Sequence, residues 1–186
     1  MDLPIVIGIT GASGVVYGIE ALKILKDLNR ETHLILSQAG ETTLRIETNY
    51  SPDQVKRLAQ VVHRIDDMAA PVASGSFFTQ GMLVAPCSIK TLSAIANSYS
   101  DNLLVRAADV NLKEKRPLVL MVRETPLHKG HLELMSRATD LGAVILPPVP
   151  AFYHRPAGIK DLIHQSVGKA LDFFKIEHHL FKRWGT

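Results

Sequence analysis

Residues 7–18 read IGITGASGVVYG, a glycine-rich stretch that follows an apolar run and precedes an amphipathic pattern. This order predicts a buried strand, a tight turn and a helix, the unit from which parallel α/β sheets are built. The glycines are spaced by three, three and four residues, whereas a dinucleotide-binding turn reads G-x-G-x-x-G. The stretch therefore predicts either a loop for a phosphorylated ligand other than NAD or a tight turn that binds nothing.

Apolar runs alternate with helical patterns along the chain. The predicted strands, short and rich in Val, Ile and Leu, cover residues 5–9, 33–36, 82–85, 118–122 and 143–146. The predicted helices cover residues 15–28, 39–47, a segment that starts at Ser51, and then 90–95, 103–113, 130–141 and 159–174. This alternation predicts a Rossmann-like three-layer α/β fold with a mainly parallel sheet and helices on both faces. Because the sequence contains no internal repeat or linker, we expect residues 1–186 to form a single domain.

The composition excludes several classes of protein. Of the 186 residues, 46% are hydrophobic and 21% charged, which is ordinary for a globular fold with a core. The net charge of +3 comes without a basic stripe, so we expect no nucleic-acid partner. No apolar run approaches the roughly 20 residues of a membrane span, and the first residues lack the basic start of a signal peptide. With Cys87 as its single cysteine, the sequence predicts a cytoplasmic protein.

Polar residues follow each predicted strand. The segments in question are residues 10–14, Ser37, residues 86–88, residues 123–125 and residues 147–153. Because ligands of open α/β sheets bind beyond the carboxyl ends of the strands, we expect these segments to form one site. The glycine loop offers backbone N–H groups at a helix N-terminus, which suit a phosphate or a heteroaromatic acceptor. Ser37 stands where a NAD-binding fold has the acidic residue that holds the ribose, so the pattern favours a mononucleotide.

Several side chains near these segments have two interpretations. Glu124 is either a general acid or base just past a strand, or the partner of Arg123 in a surface salt bridge. His128 and His131 resemble a metal cluster only loosely, because their spacing is three residues and no strong third ligand is evident, so we predict no metal site. Cys87 is either a nucleophile or, by default, a small core residue.

Two further segments are candidate anion cradles. Residues 88–91 open a predicted helix, and residues 74–76 form a serine-glycine turn. Arg106, Lys113 and Lys169 are single cations on predicted helices, and each one taken alone indicates a solvated surface residue. The residues by themselves therefore predict an α/β protein that binds a mononucleotide and a second anion.

A resemblance to a known family adds to this prediction. The chain resembles the flavin prenyltransferases through TGASG (10–14), IET (46–48), SGSF (74–77), PCSIKTLSAIA (86–96), RAADVNLKEKRPLVL (106–120), RETPLH (123–128) and GAVILPPVPAFYHRP (142–156). The resemblance implies a metal-independent enzyme that joins the dimethylallyl group of dimethylallyl phosphate to N5 and C6 of reduced FMN. It also implies that the prenylated FMN serves a partner decarboxylase, as in ubiquinone biosynthesis, and that the enzyme is a homo-dodecamer with sites between subunits.

The resemblance assigns roles to matching positions. The FMN-binding positions are Gly11, Ala12, Ser13, Ser37, Ser88, Ile89, Lys90, Thr91 and Arg123. The positions that bind dimethylallyl phosphate are Ser74, Gly75, Arg106, Lys113, Tyr153 and Lys169. The catalytic positions are Ser13, Glu47 and Glu124, which match groups that move protons. Lys169 replaces an arginine of some relatives, which implies a point-charge contact with phosphate rather than a forked one.

The sequence departs from its relatives at two places, and two other functions remain open. Asn49 replaces an aspartate, and an aromatic residue that covers the prenyl group in some relatives is missing, so Phe77, Phe78 or Trp184 is expected to substitute. The first alternative function is an FMN-dependent decarboxylase of a cysteine derivative. The second is a flavin carrier without enzymatic activity, which has no need of a second phosphate site.

Overall fold

A computed structural model of the chain describes residues 3–185. The strands in this part of the chain are β1 (Ile5–Ile9), β2 (Thr32–Leu36), β3 (Val61–His63), β4 (Gly81–Cys87), β5 (Leu118–Val122) and β6 (Val144–Ile145). All pairings between neighbouring strands are parallel, and the order across this six-stranded sheet is β3-β2-β1-β4-β5-β6. The carboxyl ends of the strands therefore meet at one edge of the sheet.

Helices cover both faces of the sheet. They are α1 (Val15–Asp27), α2 (Gln38–Glu47), α3 (Pro52–Lys56), α4 (Ile89–Ala96), α5 (Leu103–Lys113), α6 (Lys129–Asp140) and α7 (Ile159–Asp172). Side chains alternate along β1: Ile5, Ile7 and Ile9 face a core shared with α1 and α7, while Val6 faces a second core shared with α4, α5 and α6. The sheet thus separates α5 from α7.

The predicted fold is confirmed, but one strand was missed and some elements end at other residues than predicted. The strand β3 was missed because it is three residues long, only partly buried and at the edge of the sheet. The strand β4 runs past the predicted end at residue 85 through Pro86 to Cys87, and its pairing with β5 is irregular between Val84 and Cys87. Proline has no N–H for the ladder, which explains why the apolar run looks finished before it.

Among residues 3–185, no helix is both long and apolar enough to cross a membrane.

Candidate functional site

A cavity of about 550 Å³ opens at the carboxyl edge of the sheet, beyond β1, β2 and β4. The strand order reverses here, since β1 is followed along the chain by β2 on one side and later by β4 on the other. This is the place where open α/β sheets bind their ligands. Of the predicted FMN-binding positions, the cavity wall contains Gly11, Ser37, Ser88, Lys90 and Thr91.

The first turns of α2, α4 and α5 all contribute to this cavity. Ser37 precedes α2, and its Oγ accepts a hydrogen bond from Gly40 N at 3.0 Å. Ser88 precedes α4 in the same way and accepts from Thr91 N at 3.3 Å. Helix N-termini carry partial positive charge and free N–H groups, so their convergence suits the phosphate of a mononucleotide.

The glycine loop before α1 lies at the same edge. Gly14 has a φ of 96°, a left-handed conformation that strongly favours glycine. A Cβ on Gly11 would lie 2.5 Å from the Cβ of Ala39, so only glycine lets this loop approach the start of α2. Ala12 and Ser13 lie between these two glycines, outside the cavity wall, and Ser13 is exposed.

Thr10 ties this loop to the neighbouring one. It is 2% exposed, and its Oγ1 donates to Pro86 O at 2.7 Å and accepts from Ser88 N at 2.9 Å. The hydroxyl therefore fixes the end of β1 against the end of β4. The sequence placed Thr10 in the loop but gave it no role, because a strand-ending threonine has no distinctive pattern; the same holds for Gln38 in the cavity wall.

Arg123 carries a polar atom that needs a partner. Its backbone N donates to Cys87 O at 3.1 Å, which places the residue beside the end of β4. Its side-chain Nε is buried and has no hydrogen-bond partner within residues 3–185. A buried donor without a partner is costly, and an acceptor on a bound flavin would satisfy it. The residues present therefore fit FMN.

Two carboxylates stand at this edge. Glu124 is exposed, and its Oε1 accepts from Thr125 N at 2.9 Å. The ion pairs described between residues 3 and 185 include none between Glu124 and Arg123, so the salt-bridge interpretation of Glu124 finds no support. Glu47, at the end of α2, accepts from Gly14 N at 2.8 Å and from Val15 N at 3.3 Å. This contact holds the Glu47 carboxylate beside the loop that contains Ser13.

The predicted phosphate-binding positions fall into two groups. The first group, Ser74, Gly75, Arg106 and Lys113, lies where a short 3₁₀ turn at Pro71–Ala73 meets α5. Arg106 Nε donates to Ala73 O at 3.1 Å, and Arg106 Nη1 pairs with Asp109 Oδ2 at 2.9 Å. Lys113 pairs with Glu114, and its hydrogen bond and charge lower the pKa of that carboxyl.

The second group lies beside the last turn of α7. Lys169 Nζ is 3.2 Å from Asp172 Oδ2, and Arg183 Nη2 is 2.7 Å from Asp172 Oδ1. Burial acts to raise the pKa of Asp172, but hydrogen bonds from Arg183 and Lys169 outweigh it and lower the pKa. The Tyr153 ring lies 5.6 Å from the Trp184 ring, edge to face. Phe77 N donates to Ser74 O at 3.2 Å, so Trp184 and Phe77 each lie beside a predicted substrate-binding residue.

One chain does not bring the two groups together. Lys113 is on α5 and Lys169 is on α7, and these helices cover opposite faces of the sheet. Lys113 is also the last residue of α5, roughly 16 Å along the helix from Asn102 in the cavity wall, given the helical rise per residue. Within a single chain, the two groups of predicted phosphate-binding residues are therefore on opposite sides of the sheet.

The remaining candidates have structural roles in the fold. His128 precedes α6, and its Nδ1 accepts from Gly130 N at 3.1 Å, so it caps that helix. The centroids of the His128 and His131 rings lie 3.6 Å apart, with the ring planes tilted by 34°. Cys87 is fully buried at the end of β4, and burial raises the pKa of its thiol, which agrees with the core interpretation.

Comparisons with known proteins identify the family of this chain. The model of the Flavoprotein family matches residues 2–170. The flavin prenyltransferase UbiX of Thauera aromatica is 58% identical over 180 residues, which cover 97% of this chain and 93% of that protein. A crystal structure of AnUbiX (PadA1) in complex with FMN and dimethylallyl pyrophosphate matches with a TM-score of 0.98 at 52% identity, covering 100% of this chain and 99% of the other.

Two other solved structures bear on assembly and on the alternatives. A dodecameric FMN-dependent UbiX-like decarboxylase from Escherichia coli O157:H7 matches with a TM-score of 0.95 at 45% identity, covering 99% of this chain and 100% of the other. The FMN-dependent cysteine decarboxylase TvaF is 14% identical with a TM-score of 0.68, a likeness that extends to the fold alone. Identity above one half over nearly the whole length settles the family: the chain belongs to the flavin prenyltransferases.

Proposed function

We propose that this chain is a flavin prenyltransferase, which transfers the dimethylallyl group of dimethylallyl phosphate to reduced FMN. The observation that carries the proposal is the cavity of about 550 Å³ at the carboxyl edge of the sheet, into which the predicted FMN-binding segments converge. The product is prenylated FMN, the cofactor of a partner decarboxylase, with ubiquinone biosynthesis as the expected setting. We place the enzyme in the cytoplasm and treat residues 1–186 as one flavoprotein domain.

The chain's residues hold the flavin from several sides. Gly11, Ala12 and Ser13 contact the ring system, and Arg123 supplies its buried Nε. Ser37 and the first turn of α4, with Ser88, Ile89, Lys90 and Thr91, bind the phosphate end, where the helix N-termini converge. Bound reduced FMN supplies the N5 and C6 atoms that become joined to the prenyl group.

Three side chains handle protons. Ser13 and Glu47 remove or return the proton at N5, and the hydrogen bonds from Gly14 N and Val15 N keep the Glu47 carboxylate in reach of the loop. Glu124 donates a proton to the departing phosphate, which makes that phosphate a better leaving group. Its exposed position past β5 leaves it accessible to a substrate.

The phosphate site needs more than one chain. Ser74, Gly75, Arg106 and Lys113 come from one subunit, and Tyr153 and Lys169 come from another, because the sheet separates the two groups within a chain. Closed symmetric oligomers produce such shared sites naturally. We propose a homo-dodecamer, by analogy with the dodecameric relative.

The cations also distinguish this function from its alternatives. A flavin carrier needs no second anion site, and a decarboxylase of cysteine derivatives uses no prenyl phosphate. Lys113 already has a carboxylate neighbour in Glu114, and Lys169 has one in Asp172, so a phosphate binds by competing with those carboxylates. The family implies no metal, and His128 is occupied as the cap of α6.

The test combines cofactor identification with an assay. Mass spectrometry of the chromophore released from the purified protein is expected to give FMN or prenylated FMN. Reduced FMN mixed with dimethylallyl phosphate and the protein is expected to yield prenylated FMN at a rate that a metal chelator leaves unchanged. Recovery of NAD or FAD would contradict the proposal. FMN binding without any prenyl transfer would also contradict it and would favour a flavin carrier without enzymatic activity.

A further inference from the structure

Arg116 holds the turn formed by residues 74–77, which we call the 74–77 turn. Its Nη2 donates to Gly75 O at 2.7 Å, and its Nη1 donates to Phe77 O at 2.7 Å. The turn closes on itself through Phe77 N, which donates to Ser74 O at 3.2 Å. One planar guanidinium therefore binds two carbonyls of the same turn, a geometry that lysine cannot reproduce.

The backbone that carries Arg116 is itself fixed. Arg116 N donates to Asn111 O at 2.8 Å, and Lys115 N donates to Leu112 O at 3.0 Å. Lys115 has a φ of 56°, so the pair of bonds forms the Schellman motif that ends α5. The next residue is Pro117, which restricts Arg116 to extended conformations. The guanidinium thus reaches the 74–77 turn from a rigid junction between α5 and β5.

The 74–77 turn meets the end of α5 at Gly75. A Cβ on Gly75 would lie 2.7 Å from Lys113 Nζ and 2.1 Å from Glu114 Oε1, so the ammonium sits directly against the turn. The distance between the Ser74 hydroxyl and the Lys113 ammonium therefore depends on where the turn rests on α5. Arg116 sets that position through its two carbonyl contacts.

We propose that Arg116 is a positioning residue, which holds Ser74 and Gly75 in register with Lys113 so that the three can bind one phosphate. This inference rests on the proposed function, in which those residues bind dimethylallyl phosphate. Arg116 acts through the turn rather than on the substrate, since its Nη groups are engaged with carbonyls and its Cζ lies 5.5 Å from the centre of the Phe78 ring.

The test uses two substitutions at Arg116 and one control. Arg116→Met removes the charge and the fork, whereas Arg116→Lys keeps the charge and loses the fork. Arg57→Met, at an exposed position after α3, removes a positive charge elsewhere. We expect both Arg116 variants to raise KM for dimethylallyl phosphate about tenfold or more with a smaller change in kcat, because the turn is displaced rather than the reacting groups. The control is expected to match the wild type.

Two binding measurements accompany the kinetics. FMN affinity, followed by flavin fluorescence, is expected to stay within about twofold of the wild type, since the contacts described for Arg116 within residues 3–185 are with residues outside the flavin cavity. Calorimetric titration of the FMN-loaded protein with dimethylallyl phosphate is expected to show the same loss as KM. Hydrogen exchange of the Phe77 amide is expected to become faster in both variants.

Each other result overturns the inference. A wild-type KM in Arg116→Lys with a raised KM in Arg116→Met would show that Arg116 acts through its positive charge rather than through its two hydrogen bonds. A wild-type KM in both variants would show that phosphate binding does not depend on the hydrogen bonds from Arg116 to the 74–77 turn. A parallel loss of FMN binding and thermal stability would show that Arg116 stabilises the whole fold rather than the phosphate site. If the wild type itself neither binds nor uses dimethylallyl phosphate, the proposed function fails instead, which the wild-type titration shows directly.

Discussion

Glu124 is the single residue on which the proposed chemistry depends most. We expect Glu124→Gln to lower the rate of prenyl transfer by about 10²–10⁴-fold, because glutamine keeps the shape of the side chain but has no acidic proton to donate. Both ligands are expected to bind, since Glu124 is exposed and its only described hydrogen bond within residues 3–185 is to Thr125 N. Flavin absorbance in a single turnover measures the rate, and separate titrations with FMN and dimethylallyl phosphate measure binding. A wild-type rate would remove Glu124 from the mechanism.

Thr10 gives a prediction about stability at the same scale. Thr10→Val removes the hydroxyl that bridges Pro86 O and Ser88 N, and leaves both groups without this partner. We expect the free energy of unfolding to fall by about 1–3 kcal/mol, the usual cost of a buried polar group that loses its partner. FMN binding is also expected to weaken, because the loops after β1 and β4 lose the side-chain bridge and keep only the backbone bond from Thr10 N to Pro86 O, at 3.3 Å.

Urea denaturation with and without FMN checks this expectation for Thr10. Thr139→Val is the matched control, since Thr139 is exposed and its hydroxyl donates to Ser136 O within its own helix. Equal unfolding free energies for Thr10→Val and the wild type would show that the bridge contributes nothing.

At the scale of elements, the last turn of α7 predicts a dependence on pH. Asp172 joins that turn to Arg183, and its pKa is lower in the folded chain than its ordinary value. A carboxyl whose pKa falls on folding stabilises the protein above its unfolded pKa of about 3.9, and this contribution disappears as the pH falls through the folded pKa. Asp172→Asn is therefore expected to be less stable than the wild type at neutral pH but to match it in strong acid.

Denaturation of both proteins across that range measures the difference for Asp172. A stability gap that is the same at neutral and acidic pH would show that folding does not lower the pKa of Asp172.

Helices and strands also differ in how well sequence patterns predict them. Residues 103–113 and 118–122 were predicted with the bounds that α5 and β5 have, because long amphipathic and fully apolar runs carry strong periodic signals. The edge strand β3 carries no such signal in three residues. The segments after the strands were predicted to share one edge, but contacts set by side-chain direction, such as Arg116 with Gly75, have no sequence pattern.

At the scale of the whole molecule, the separation of Lys113 from Lys169 predicts complementation between subunits. Lys113→Ala and Lys169→Ala are each expected to lose most prenyl transfer when they are assembled alone. In mixed oligomers, random assembly places an intact Lys113 opposite an intact Lys169 in about a quarter of the sites, so a matching share of activity is expected to return. Co-expression of two differently tagged variants, followed by tandem purification, supplies the mixed oligomers. Activity no higher than that of either variant alone would place both lysines in one subunit.

Cys87 gives the folded molecule a built-in reporter. It is the single sulfhydryl of the chain, fully buried at the end of β4, and burial disfavours the thiolate that alkylating reagents attack. Labelling by a maleimide therefore has to wait for the middle of the sheet to open, so the labelling rate records how often that happens. The loop that follows Cys87 lies at the cavity. A bound flavin is therefore expected to lower the labelling rate, by a factor that increases with its affinity for the closed form. The native sequence therefore contains its own probe of transient opening of the core, with no engineered label.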